Sequence, residues 1–453
     1  AASVISMGLI SLPIMLRYGY DRRLATGVIA ASGTLAQIIP PSLVLIILAD
    51  QLGRSVGAMY LGAFIPGLTL TALYLLYVVA IALFRRHHAP ALPVQARTLR
   101  EPSGQSGLRS LAVLAALATV FAYASLQWFT HRHPEAATDT RVMVSLLSAS
   151  ASAWLLALIN QTLQLGMISQ LAQRVTFVLI PPLALIFLVL GTIFLGWATP
   201  TEGGAMGATG ALLMALTRRR LSLPLLTQAM DRTMKLSCFV MFILLGATIF
   251  NLTFQGIDGG RWVEHLLSDL PGGQIGFLIA VNVLVFVLAF FLDFFELSFI
   301  IVPLLVPAAQ ALNIDLVWLG IILAVNMQTS FMHPPFGFAL FYLRSVAPAQ
   351  SYTDRITGAR IAPITTGQIY WGAVPFLCIQ ILMVALLIRF PSLVTGQLDQ
   401  APPIPTETMR LAPIDDDPFS RPLDADPDPT SDEDPVAAMK RAMQEDRGLS
   451  DAP

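Results

Sequence analysis

Two short stretches combine helix-breaking and oxygen-bearing residues inside an otherwise apolar chain. The first, residues 31–42 (ASGTLAQIIPPS), places Ser32, Gly33 and Thr34 ahead of Pro40 and Pro41. The second, residues 326–337 (NMQTSFMHPPFG), places Asn326, Gln328, Thr329 and His333 ahead of Pro334 and Pro335. Proline lacks an N–H and clashes with the preceding turn. The residue before it is pushed out of the helical region. Both stretches are therefore expected to be unwound between half-helices. Carbonyls freed by such a break are hard ligands suited to sodium, and half-helix N-termini favour an anion. A plain structural kink is the alternative reading of either one. Two matched breaks with hydroxyl and amide side chains beside them favour ligation. The expected site is Na+ at the broken-helix loops, with no transition metal and no organic cofactor.

Carboxylates inside apolar segments are the next candidates, because such charges are costly and usually functional. Residues 274–291 are apolar and lead into Asp293-Phe294-Phe295-Glu296, after which the chain turns apolar again. A re-entrant hairpin with its tip near 292–298 fits, with Asp293 and Glu296 gating or attracting a cation. A loop at the membrane surface is the alternative. Thr199, Thr201 and Glu202 precede a glycine-rich run, and a helix cap accounts for them as well as a transport role does. Cys238 and Cys378 sit in apolar runs and read as buried hydrophobes. His87 and His88 follow Arg85 and Arg86 and read as a solvated interface.

These residues need a membrane scaffold to position them. The chain is 55% hydrophobic and 12% charged, against roughly 25% charged in soluble domains. A net charge of -1 gives no reason to expect nucleic acid. A spanning helix needs about 20 mostly apolar residues. Such runs lie near 58–84, 111–129, 142–159, 175–197, 236–254 and 370–390. Shorter or interrupted runs lie at 1–16, 27–49, 203–217, 274–311 and 317–343. Residues 217–235, with Arg218-Arg219-Arg220 at the front, read as an interfacial segment. From 396 onward the Pro- and Asp-rich composition predicts a disordered acidic tail. The chain starts at Ala1 within an apolar stretch and shows no signal peptide, so further sequence is expected upstream.

An internal duplication organises these runs. Pro13, Asp21 and Pro40-Pro41 recur as Pro307, Asp315 and Pro334-Pro335 at one offset of 294 positions. Basic residues then orient the copies. Arg17, Arg22 and Arg23 precede the first break, whereas the equivalent turn at 311–317 has no Arg or Lys. Arg344, Arg355 and Arg360 follow the second break, whereas 49–57 holds only Arg54 beside Asp50. The basic ends are opposite, so an inverted-topology repeat is expected, which is a secondary-transporter signature. Counting on from Arg85 and Arg86 inside, through three crossings and the return at 203–217, places Arg218–Arg220 inside and the C-terminal tail outside, with Arg261 and Arg389 fitting poorly. Five segments follow: a first repeat at 1–84, a linker with an inserted two-helix hairpin at 85–174, scaffold helices and an interfacial arm at 175–235, a second repeat at 236–395, and the tail at 396–453.

The segments RYGYDRRLATGVIAASGTLAQIIPPS (17–42), FIPGL (64–68), GWATPTEGGAMGA (196–208), DFFELSFIIVPLLVPAAQALNID (293–315) and HPPFGFALFYL (333–343) carry a family resemblance. The chain resembles the large permease subunit of TRAP transporters, the tripartite ATP-independent periplasmic systems. Its inserted helices at 111–159 resemble the mannitol/chloroaromatic-type subgroup. The resemblance implies an all-α polytopic membrane protein of the bacterial inner membrane. It implies an elevator-type transporter with an inverted repeat, two re-entrant hairpins and two broken helices. It implies sodium-coupled uptake of a small organic solute, with a small four-helix membrane subunit and a periplasmic solute-binding protein as partners. By position, Ser32, Gly33, Thr34 and Pro40 match the first broken-helix motif. Asn326, Thr329, Pro334 and Pro335 match the second, and Asp293 matches the acidic residue at the outer hairpin tip. His333 stands where a Thr is common, which bears on ion ligation and pH sensitivity. The Ser-rich tip of the inner hairpin would fall upstream of Ala1, and the acidic tail lies outside the resemblance. The alternatives are a stand-alone carboxylate carrier or exchanger, a channel, and an intramembrane enzyme. No His-Glu-x-x-His or Gly-x-Ser-x-Gly motif in the apolar segments supports the enzyme.

Overall fold

A computed structural model describes residues 2–93, 107–134, 138–163, 168–194, 197–334, 337–354, 356–396 and 398. The expected disordered tail beyond 398, half of the 85–110 linker (94–106), Pro335 and Arg355 lie outside the described residues. Among the described residues the fold is helical apart from a two-stranded ribbon, Tyr352–Thr353 paired with Arg360–Ile361. Seven helices among the described residues are long and apolar enough to cross a bilayer. They include α4 (Val56–Phe84), α5 (Leu108–Arg132), α6 (Thr138–Thr162), α7 (Gln170–Phe194), α9 (Leu223–Gly256) and α16 (Thr366–Arg389).

The two copies repeat in detail. In the first, α1 (Ala2–Arg17) leads through a turn to α2 (Arg22–Thr34), a 3-10 turn (Leu35–Gln37) and α3 (Leu43–Gln51). In the second, α12 (Phe294–Glu296), a π-helical stretch (Leu297–Ile301) and α13 (Val302–Ala311) lead to α14 (Leu316–Met327), a 3-10 turn (Gln328–Phe331) and α15 (Phe338–Val346). Asp21 and Asp315 cap α2 and α14 by accepting from the backbone N–H three residues on. Each preceding turn closes the same way. Gly19 N donates to Leu16 O and Tyr20 N to Met15 O, while Asn313 N donates to Gln310 O and Ile314 N to Ala309 O. This Schellman arrangement needs a left-handed residue at its turn. Gly19 (φ 80°) and Asn313 (φ 53°) supply it at matched positions.

Helix α16 shows that the copies run in opposite directions. A Cβ on Gly372 would lie 2.2 Å from Arg23 O, and one on Gly27 would lie 2.0 Å from Gly372 O and 3.0 Å from Phe376. So α2 starts beside the early part of α16 and runs with it. Trp318, at the start of α14, donates through Nε1 to Leu387 O at 2.9 Å. The two contact points are about 22 Å apart along α16 at ~1.5 Å rise per residue. Farther along α14, Asn326 and Thr329 share a cavity with Ile381 and Val384, so α14 runs against α16. All 12 residues of α14 are buried, which makes it the centre of the core.

One face gathers the basic ends. Arg17 pairs with Asp354 at 3.0 Å, Asp21 N donates to His88 O, and Arg344 donates to Ile364 O. The backbone N–H and hydroxyl of Thr357, together with Arg17, hold the Asp354 carboxyl down to about 2. Arg17 is raised in turn by its bond to Asp354.

Four expectations need correction. Cys238 and Cys378 are exposed, not buried, because they fall on outward faces of their apolar helices. The breaks begin later than 31 and 326, because α2 continues through Thr34 and α14 through Met327. A proline removes only its own bond to residue i−4 and restrains only its predecessor, so earlier residues stay helical. No separate interfacial segment exists at 217–235. Residues 223–235 are the front of α9, 34 residues without an internal breaker. The hairpin turns at 289–293, not 292–298, because Asp293 already caps α12. Its base closes where Gln274, in α11 (Gly273–Leu288), donates to Leu312 O at 2.8 Å.

Candidate functional site

In the first break, Ser42 bridges the gap. Its hydroxyl donates to Gln37 O and accepts from Leu45 N, which caps α3. The side-chain oxygen of Gln37 is buried without a partner among the described residues. Pro40 is half-buried and Pro41 exposed. Ser32 faces α1, donating to Val28 O at 2.7 Å and to Met7 Sδ at 3.4 Å. Gly33 packs there too, since a Cβ would come within 2.3 Å of Val4. Both therefore hold the helix pair together, and Thr34 is the residue that turns inward.

The second break is built on amides. Asn326 donates through Nδ2 to both the carbonyl (2.8 Å) and the side-chain oxygen (2.9 Å) of Asn282 on α11. Thr329 donates to Asn326 O at 2.6 Å and Ser330 to Met327 O at 2.7 Å. Asn282, Asn326 and Thr329 line a cavity of about 240 Å³ whose remaining walls are apolar. His333 is 1% exposed. It stacks on Phe290 at 4.0 Å and meets the edge of Phe286 at 4.5 Å. The backbone of Ala289 interacts with the ring, although neither nitrogen makes a well-aligned hydrogen bond among the described residues. Pro334 is half-buried. Gly337 is required beside it, because a Cβ would sit 2.7 Å from His333 O.

The breaks meet. Gln328 Nε2 donates to Thr34 Oγ1 at 3.3 Å across 294 positions. That separation equals the repeat offset, so each residue touches its own counterpart. Thr34 in turn donates to Ala31 O at 2.9 Å and lies 3.5 Å from Met332 Sδ. The side-chain oxygen of Gln328 is buried and unpartnered among the described residues.

At the hairpin turn, Asp293 accepts from Glu296 N and Glu296 accepts from Asp293 N, both at 3.0 Å. This capping box engages one oxygen of each carboxylate. With Ser330, Phe239 and Phe338 the pair lines a cavity of about 230 Å³ beside the second break. Thr199 and Glu202 form another capping box, at the start of α8 (Pro200–Thr217), and bond to each other rather than to either break. Thr201 is exposed on the same helix. Asn282, Gln37, Ser42 and Ser330 were not anticipated as site residues. A lone Asn within an apolar helix, as at Asn282, was the available signal.

Over residues 1–393 the chain matches the family described as tripartite ATP-independent periplasmic transporter, DctM component. It belongs to that family. It is 25% identical over 346 residues to the C4-dicarboxylate TRAP transporter large permease protein DctM of Pseudomonas aeruginosa, covering 76% of this chain and 64% of that one. It is 21% identical over 390 residues to the sialic acid TRAP transporter permease protein SiaT of Haemophilus influenzae, covering 86% and 49%. It is 24% identical over 396 residues to the ectoine TRAP transporter large permease protein TeaC of Halomonas elongata, covering 86% and 71%. The chain thus spans under two thirds of the first relative's length. It is a multi-pass membrane protein of a transporter family and not an enzyme.

Proposed function

We propose that this chain is the large inner-membrane subunit of a binding-protein-dependent secondary transporter, and that it couples sodium entry to uptake of a small organic acid. The observation that carries the reading is the meeting of two duplicated breaks at Thr34 and Gln328. Buried backbone and side-chain oxygens in a membrane protein are tolerable only where protein, water or an ion satisfies them. The orphaned oxygens of Gln37 and Gln328 fit a hard cation. Together with the carbonyls of residues 35–42 and 328–334, they are the groups that would hold sodium. Sodium supplies the downhill gradient, while the protein supplies fixed oxygens and a dry enclosure.

The hairpin arm α11, only 16 residues long, favours a re-entrant element. About 20 residues are needed to span. An elevator motion follows, in which the breaks and hairpins slide as a unit against α4–α9. The relatives named for C4-dicarboxylates and sialic acid favour an acid as cargo. Helix α9 buries only Ala247, which leaves its surface for lipid and for a small membrane subunit.

The test is affinity purification of the complete gene product from native membranes, followed by sodium-gradient uptake in proteoliposomes. Co-purification of a small membrane subunit, and uptake that requires both sodium and an added periplasmic binding protein, is the expected result. A monodisperse large subunit alone that transports without either would replace this reading with a stand-alone carrier.

A further inference from the structure

We infer that Gln328 and Thr34 form a bridge on the axis relating the two copies, and that this bridge makes the ion sites of the two breaks interdependent. The inference rests on the sodium coupling proposed above. A residue that touches its own counterpart must lie beside the pseudo-symmetry axis, where the two breaks are closest. Thr34 ends α2 and Gln328 directly follows α14, so each sits where its half-helix gives way to the break. Both are buried, at 2% and 1% exposure, so water does not insulate them.

The pair is polar in one direction. Thr34 gives its proton to Ala31 O, which leaves its oxygen to accept from Gln328 Nε2. The far end of the Gln328 amide, Oε1, faces no partner among the described residues. A cation drawn to Oε1 polarises the amide and strengthens the bond from Nε2 to Thr34. Linked hydrogen bonds in a low-dielectric interior reinforce one another. Ordering Thr34 fixes the end of α2 and the carbonyls that follow it. Ligation at the second break therefore prepares the first, and linkage requires the converse.

The experiment measures sodium binding, not transport. The full-length protein with its membrane partner is titrated with NaCl against a KCl control, and thermal stabilisation is followed by intrinsic fluorescence. The wild type is expected to bind sodium with a Hill coefficient above one. Gln328→Leu and Thr34→Val are each expected to bring it to one and to raise half-saturation by about 5- to 10-fold, within the usual range of site coupling. The double variant is expected to add nothing further, and Thr34→Ser is expected to restore the wild-type curve. Thr34→Val and Thr34→Ser alone decide the matter if the leucine variant does not fold. A sodium-responsive wild type whose Thr34→Val variant keeps the same Hill coefficient and half-saturation overturns the bridge but not sodium coupling. A wild type that does not distinguish sodium from potassium overturns both.

Discussion

Replacing Gly27 with alanine should force α2 away from α16 and lower stability sharply. The added Cβ would stand 2.0 Å from Gly372 O and 2.7 Å from the carbonyl carbon. An ordinary carbon–oxygen contact is about 3.3 Å, so the helices must separate locally by roughly 1.3 Å. The obstructing atoms belong to the backbone, which cannot rotate aside as a side chain would. Overpacking costs about 1–3 kcal/mol, and a clash with fixed backbone puts this case at about 3 kcal/mol. For a chain of this size that corresponds to a fall in melting temperature of roughly 3 °C. Gly372→Ala should behave alike, because its Cβ would lie 2.2 Å from Arg23 O. Gly367, near the start of the same helix, has open space around it and serves as the control. Gly367→Ala should leave the melting temperature unchanged or raise it, since alanine is favoured over glycine in a helix by about 1 kcal/mol. A fluorescence melt in detergent reads all three. Equal melting temperatures for Gly27→Ala and Gly367→Ala would refute the close crossing.

The remaining predictions concern the site and the basic face. Asp293→Asn keeps a capping oxygen and removes a charge, so it should melt like the wild type yet transport poorly. Asp293→Ala also loses the cap, at about 1 kcal/mol; wild-type uptake by the asparagine variant would end the case for a charge role. Asn326→Ala strips Asn282 of both donated bonds, which should cost about 1–3 kcal/mol and raise the sodium concentration for half-maximal stabilisation. His333→Leu keeps an apolar side chain against Phe286 and Phe290 and breaks no well-aligned hydrogen bond among the described residues, so its melting temperature should hold or rise; a fall of several degrees would show that the ring's polar contacts, such as that with the Ala289 backbone, matter in the working protein. Asp354 titrates near about 2 in the folded state, below the ordinary carboxyl near 3.9. Its stabilisation is therefore complete above about pH 5 and lost as pH falls toward 2. The melting gap between wild type and Asp354→Asn should be widest at neutral pH and should close on acidification.

The repeat was legible because its markers act locally. Asp21 and Asp315 cap helices through their own side chains, and Pro13 and Pro307 sit at matched helical positions. What the proline pairs do was less legible. Pro181-Pro182 lies inside the continuous helix α7, so two prolines alone do not unwind a membrane helix. At the true breaks a capping or backbone-crowded residue follows, Ser42 or Gly337, and it starts a new helix. The length of α9 was hidden because the charges at Asp231, Arg232 and Lys235 suggested a boundary, whereas Asp231 and Lys235 pair along one helix at 2.7 Å. Site residues whose partner is near in sequence, such as the Asp293–Glu296 box, were half-read as caps or charges. Those whose partner is remote, Asn326 with Asn282 and Gln328 with Thr34, could be flagged by type but not paired. Tertiary packing makes those pairs, and no local pattern reports it.

Equilibrium binding of radiolabelled sodium to the purified full-length protein, with its membrane partner in lipid nanodiscs, tests the central claim most directly. Saturable binding that unlabelled sodium displaces and potassium does not, weakened in both Thr34→Val and Asn326→Ala, is the predicted result. Binding that does not saturate, or that potassium displaces as well as sodium, would contradict an ion site at the paired breaks.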